Sequence, residues 1–302
     1  MTIGLALRIG SRGSRLAAAQ ARIFQHALGD DAGRTHLVAV RTRGDVISAR
    51  DGRGGFEATD GQFTAELEDA LLGDAIDVAV HSYKDLPTAT TGGAVVAAVL
   101  PRADARDCLV SRGGGGLDTL PNGARVGTSS VRRGLQIRLQ RPDLRIEPIR
   151  GNVETRIARM DGGEYDAVIL ACAGLDRLGR SLPDSVRLPF DVMLPAPAQG
   201  AIAIQVRAEH SAVAARVAKL DDFATRTAVE AERSLLQAVG GGCLAPLGAL
   251  GEVADGQLRL RGIYFPDPSA RPARVDVVGA ADRADQVVAE AAQGLVPHGR
   301  RR

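Results

Sequence analysis

"LALRIGSRGSRLAAAQARIFQHAL", residues 5–28, reads as a short apolar strand, a polar turn and a helix, and recurrence of that unit decides the fold. Helical spacing predicts that Leu16, Ala19, Ile23 and Ala27 share the buried face of the helix. The unit comes again. "THLVAVRT" (35–42) is a strand, "GQFTAELEDALLGD" (61–74) a helix with Phe63, Leu67 and Leu71 inward, and "AIDVAVHS" (75–82) a strand. Alternating strands and helices imply a mostly parallel sheet covered on both faces, whose ligands sit beyond the carboxyl ends of the strands. The polar clusters "SRGSR" (11–15), "RTRGD" (41–45) and "HSYKDLPT" (81–88) fall at those ends.

The plan repeats from residue 124: strand "ARVGTS", helix "SVRRGLQIRLQR" stopped by Pro142, strand "LRIEPI", helix "VETRIARM" capped by Asn152, and strand "YDAVILACAG" (165–174). "LPRAD" (100–104) and "LPAPAQG" (194–200) join the two blocks, and "AIAIQVR" (201–207) reads as a strand returning to the first sheet. Two crossings make a hinge, and two similar doubly wound lobes are expected to flank a cleft. A third block opens with the helix "FATRTAVEAERSLLQAV" (223–239). The segments "LGALGEV", "QLRLRGIYF" and "ARVDVVG" then alternate like antiparallel strands, and "DRADQVVAEAAQGLV" (282–296) closes as a helix. The expected domains are residues 1–100 with 201–220 (α/β), 105–195 (α/β) and 222–302 (small α+β).

A chain of 302 residues exceeds one ordinary core. With no Trp and 3% aromatic residues it lacks the rings of a single-stranded nucleic-acid platform. Its three widely spaced cysteines make neither a disulfide framework nor a metal site. The start lacks the basic-then-apolar pattern of a secretion signal and no apolar run reaches membrane-spanning length, so the expected compartment is the cytoplasm, with no membrane partner. Net charge is +2, yet Arg125 to Arg159 holds nine Arg against Asp143, Glu147 and Glu154. That local cationic field implies an anionic partner. Only two of 38 basic residues are lysine, Lys84 and Lys219, so a lysine invites a chemical reason.

Three stretches carry the candidate chemistry. In "GTSSVRRGLQIRL" (127–139), hydroxyls and free N–H groups at a helix start stand beside Arg132 and Arg133, a pattern suited to carboxylates. Arg12, Ser14, Arg150 and Arg156 occupy equivalent strand-end positions. In "AVHSYKDLPT" (79–88), Lys84 and Asp85 end an apolar strand; Asp85 facing arginines stays ionised and suits a cationic intermediate or proton transfer, with a surface ion pair as the alternative. His81 has no metal-spaced partner and reads as structural. In "VGGGCLAPLG" (239–248), three glycines and Pro246 set Cys243 on a constrained turn, where it is either a presented nucleophile or a small buried residue. Cys108 and Cys172, in apolar runs, read as core.

Taken in order and spacing, "LRIGSRGSRLAAAQA", "DVAVHSYKDLPT", "RDCLVSR", "GTSSVRR", "RGNVETR", "AGLDRLG", "LPAPAQGAIAIQVR" and "AERSLLQAVGGGCLAPLGA" resemble the porphobilinogen deaminase family along nearly the whole chain. The resemblance implies two lobes similar to periplasmic binding proteins, a third domain, and a monomer. It implies a dipyrromethane cofactor joined as a thioether to Cys243. The implied reaction joins four porphobilinogen molecules with loss of ammonia, each through an electrophilic azafulvene, and then releases linear hydroxymethylbilane by hydrolysis. On the same resemblance Asp85 is the catalytic carboxylate. Ser82, Lys84, Thr128, Ser129, Ser130, Arg132 and Arg133 contact the cofactor, and Arg12, Ser14, Arg150, Arg156 and Arg177 bind substrate carboxylates.

One departure stands out: family members carry lysines in "GKGLFxKELE", where this chain reads "TDGQFTAELE", with Asp60 and Ala65 at those positions. The competing readings are an inactive paralogue and a two-lobed anion-binding protein. A nucleic-acid partner is disfavoured by the nearly balanced total charge.

Overall fold

The computed structural model describes residues 6–29, 34–42, 64–89, 91–180, 182, 185–242 and 245–296. Its contacts divide the chain into two compact units, residues 1–102 with 201–226 and residues 103–200 with 227–302.

In the first unit, β1 (Leu7–Arg12), β2 (Thr35–Val40), β3 (Val78–Ser82), β4 (Ala94–Val99) and β10 (Ile202–Arg207) form one sheet in the order β2-β1-β3-β10-β4. β10 runs antiparallel to both neighbours, while β1 is parallel to β2 and β3, so one strand opposes four. The return of 201–207 to the first sheet is as the sequence suggests. One face is covered by α1 (Arg15–Ala27) and α6 (Ser211–Ala218), which bring Phe24, Val213 and Val217 onto Leu7, Ile9, Val78, Ile204 and Val206. The other face receives Leu67 and Leu71 of α2 (Ala65–Leu72). Phe63 lies outside the described residues.

The face of α1 differs from expectation. Ala17, Gln20, Ala21 and Phe24 are buried, whereas Ile23 is 41% exposed and Ala27 is exposed. Both stripes of this alanine-rich helix are apolar at helical spacing. Burial of the phenylalanine ring and the bond of Gln20 to Ser82 select the other one.

The second unit repeats the topology with β5 (Asp107–Ser111), β6 (Arg125–Gly127), β7 (Arg145–Glu147), β8 (Ala167–Ala171) and β9 (Ser185–Arg187), ordered β7-β6-β8-β5-β9. Here β5 is the antiparallel strand, and its alternation is plain: Leu109 packs on one face with Val126, Ile137 and Ile169, Cys108 and Val110 on the other with Val168 and Leu170. Helices α3 (Val131–Gln140), α4 (Val153–Asp161) and α5 (Cys172–Arg177) follow β6, β7 and β8. Asn152 caps α4, accepting from the Thr155 N–H at 2.8 Å, as expected. Cys172 is core but opens α5 rather than lying in the strand.

The same unit holds a three-stranded antiparallel sheet, β11 (Leu247–Ala254), β12 (Gln257–Tyr264) and β13 (Ala273–Ala280), packed by α7 (Phe223–Ala238) and α8 (Ala284–Leu295) through Leu235, Leu260, Val287 and Leu295. The architecture is therefore two doubly wound α/β sheets of one plan and a small α+β part. Among the described residues no helix is long and apolar enough to cross a membrane.

The chain passes between units beside Gly200, whose φ of +91° is open mainly to glycine and whose added Cβ would lie 2.5 Å from the Ala103 carbonyl oxygen. Gly200→Ala is expected to destabilise by about 1–3 kcal/mol in urea titration. Gly179→Ala, also at positive φ but with nothing within 4 Å, should cost only about 1 kcal/mol. Equal costs would show that the backbone contact does not matter.

Candidate active site

In the first unit β1 ends at Arg12, and Ser14 then caps α1 by accepting from the Ala17 N–H at 3.2 Å. β3 ends at Ser82, whose hydroxyl accepts from the buried Gln20 Nε2 at 2.7 Å. One 3-10 turn, Tyr83–Asp85, follows, held by the Tyr83 N–H donating to the Ala201 carbonyl at 3.1 Å. Arg12, Ser14, Ser82 and Asp85 line one recess of about 60 Å³, and Lys84 is half-buried on the same turn. His81 is structural: it is buried, bonded through Nε2 to Gln205 at 3.1 Å, and pushed down to about 4 by burial, so it is neutral near pH 7. Gln205 in turn donates to the buried Glu68 at 2.9 Å.

In the second unit the equivalent strand end is β6. Thr128 is buried and its hydroxyl accepts from the Ser130 N–H at 3.1 Å; Ser129 donates to the Ile149 carbonyl at 2.8 Å; Ser130 caps α3. Arg132 and Arg133, in the first turn of α3, point inward and are only 5% and 7% exposed. Both reach Asp107 at the start of β5, at 2.8 and 2.6 Å, and donate on to the carbonyls of Leu194 and Ile169. Gln199 also donates to Asp107, at 2.9 Å. The arginines hold the Asp107 carboxyl well below the usual carboxylate range despite burial, while burial lowers Arg132.

One carboxylate thus serves two cations, and those cations lie at a helix N-terminus, where the macrodipole disfavours positive charge. Two further arginines add to the surplus. Arg156 donates to the Gly151 carbonyl at 2.8 Å, and Arg177 to the Gly200 carbonyl at 2.6 Å. Among the described residues neither makes an ion pair. Burial pushes both down to about 10, the charge of Arg133 adding to the effect at Arg156, yet both stay charged at neutral pH. Arg150 is half-buried in the loop before α4. Half-buried guanidinium groups held by single carbonyls keep their other donors for an anion. Among the described residues no cluster of His, Cys, Asp or Glu could hold a metal.

Several residues of this machinery escape sequence reading. Asp107 looks like a solvated strand end before an apolar run, and nothing local marks it as the counter-charge of a helix 25 positions on. Gln199 sits in "LPAPAQG", which reads only as a linker. Glu232 is fully buried and accepts from the N–H groups of Ala198 (2.6 Å) and Gly251 (2.7 Å), tying that segment to β11. Cys243 and Asp60 lie outside the described residues; Ala65 opens α2 and is exposed.

Fold and strand-end groups define a class of doubly wound α/β proteins with arginines and hydroxyls at the carboxyl ends of their strands. Residues 7–215 match the family model described as "Porphobilinogen deaminase, dipyromethane cofactor binding domain", and residues 226–296 match "Porphobilinogen deaminase, C-terminal domain". A porphobilinogen deaminase from Nocardia farcinica is 45% identical over 99% of this chain and 88% of its own. One from Acidothermus cellulolyticus is 46% identical over 97% and 89%. An ABC transporter periplasmic binding protein from Brucella ovis, solved with glutathione bound, aligns at 16% identity over 78% of this chain and 68% of its own, with a TM-score of 0.42. The chain belongs to the porphobilinogen deaminase family of transferases.

Asp107→Asn is expected to destabilise by about 3–5 kcal/mol at neutral pH, because Arg132 and Arg133 lose their counter-charge. The folded Asp107 carboxyl lies below its unfolded value of about 4, so its stabilisation is complete above that pH and fades as pH falls. Urea titrations of both proteins should show the gap narrowing below about pH 4; a gap that widens on acidification would contradict the assignment.

Proposed function

We propose that this chain is a hydroxymethylbilane synthase, which joins four porphobilinogen molecules head to tail with loss of ammonia and hydrolyses the linear product free. The supporting observation is the surplus of positive charge at the strand ends of the second unit, where Arg132 and Arg133 share one carboxylate and, among the described residues, Arg156 and Arg177 make no ion pair. Such a site suits a ligand carrying several carboxylates.

The donor set also fits a dipyrromethane cofactor. Its acidic side chains call for arginine forks, helix N–H groups and hydroxyls, which Thr128, Ser129, Ser130, Arg132 and Arg133 supply from one helix start. Ser82 and Lys84 add to that set, and Cys243 is the attachment point. When bound, the cofactor supplies the free pyrrole carbon on which the product chain grows. Arg12, Ser14, Arg150, Arg156 and Arg177 bind and orient the acetate and propionate groups of the substrate. Asp85, on the turn beside Arg12 and Ser82, acts as the catalytic carboxylate that stabilises positive pyrrole nitrogens and carries protons.

In this reading the chain works as a cytoplasmic monomer of three domains, 1–100 with 201–220, 105–195 and 222–302. Asp60 and Ala65 leave carboxylate binding to the remaining arginines.

Purified protein should consume porphobilinogen and release ammonia; a folded sample that does neither contradicts the proposal. Asp85→Asn is expected to lower kcat by about 10²–10⁴-fold with KM changed far less. Arg156→Gln should act the other way, raising KM more than it lowers kcat. Equal effects of the two would show that Asp85 serves binding alone.

A further inference from the structure

A second cavity, of about 390 Å³, lies in the second unit, and none of the residues assigned above to the active site lines it. Two thiols do. Cys108 lies on β5 opposite Leu170 of β8, and Cys172 follows two residues later with its N–H donating to the Arg106 carbonyl at 3.0 Å. The side chains therefore leave the same face of the sheet as diagonal neighbours, and the Cys108 thiol donates to the Leu109 carbonyl at 3.7 Å. Each residue is 1% exposed, yet both border the cavity together with Ser185, Arg180 and Arg187. Arg187 is fixed there by Asp104 at 2.5 Å and Asp176 at 2.6 Å.

We propose that Cys108 and Cys172 form a peroxide-reactive dithiol that closes to an intramolecular disulfide. The arrangement separates the two roles. Cys108 is drawn down to about 7 by the hydrogen bond from Cys172, with Ser185 and Arg187 acting in the same direction and burial opposing; the same bond and burial push Cys172 up. Cys108, paired across the sheet with the cation Arg187 of β9, is assigned as the nucleophile and Cys172 as the resolving thiol.

Its thiolate sulfur attacks one oxygen of hydrogen peroxide, the O–O bond breaks, and the departing hydroxide takes a proton and leaves as water. Cys108, oxidised by two electrons, is then a sulfenic acid. The Cys172 sulfur gives up its proton and displaces that hydroxyl as a second water, forming the S–S bond. Dithiol and peroxide give disulfide and two waters. Because Cys108 follows Asp107, and Cys172 opens the helix that ends at Arg177, the cross-link ties together two elements that carry the cationic site.

The test treats the full-length protein with hydrogen peroxide, then blocks remaining thiols with N-ethylmaleimide under denaturing, non-reducing conditions and maps the peptides by mass. Alkylation of Cys108 and Cys172 should be lost together, with a linked peptide lighter by two hydrogens, and dithiothreitol should restore both. In Cys172→Ser, Cys108 should stop as a sulfenic acid trapped by dimedone; in Cys108→Ser, Cys172 should stay reduced. Two thiols that remain fully alkylatable in the wild type, or a disulfide that pairs either with Cys243, would overturn the proposal. The wild-type map decides the matter even if a variant does not fold.

Discussion

A single buried carboxylate organises the second unit. Asp107 is fully buried, and in that environment an unpaired carboxylate would be prohibitively costly, so Arg132, Arg133 and Gln199 must all be in place when the unit is folded. The consequence is positional. The start of β5, the first turn of α3, the Ile169 carbonyl on β8 and the segment 194–200 are drawn to one point. Glu232 repeats the device at the residue before Gln199 by holding Ala198, together with Gly251. Two acids thereby fix a proline-rich segment that has little secondary structure of its own.

That arrangement has an electrostatic remainder which links stability to chemistry. Packing alone would be better served by one arginine per aspartate, or by apolar residues of similar volume. The protein instead keeps cations in excess at a helix N-terminus and on two glycine carbonyls, each burdened by desolvation. Such groups are more stable when an anion arrives. Excess cations of this kind suit an anion with several carboxylates, and in the first unit Asp85 stands on a short turn directly after a strand.

Much of this was legible in the residues. The strand and helix alternation, the return of 201–207 to the first sheet, the cap at Asn152, and the clustering of polar residues at strand ends all follow from period and local chemistry. Other parts were not. β4, "AVVAAV", is a continuous apolar run without alternation, and α6, "SAVAARVA", is alanine-rich with weak contrast between its faces, so neither stands out. The inward face of α1 turned on where one phenylalanine and one glutamine find partners. Asp107, Gln199 and Glu232 act through partners far away in sequence, and no local pattern encodes such a pairing.

The central claim is that this chain grows a polypyrrole on a primer held by Cys243, and an intact mass spectrum of the purified protein, before and after porphobilinogen is added, tests it most directly. A mass excess of two linked pyrrole units, mapped to the peptide containing Cys243 and increasing by single pyrrole steps with substrate, is the expected result. A bare polypeptide mass that substrate leaves unchanged, in a folded sample, would contradict it.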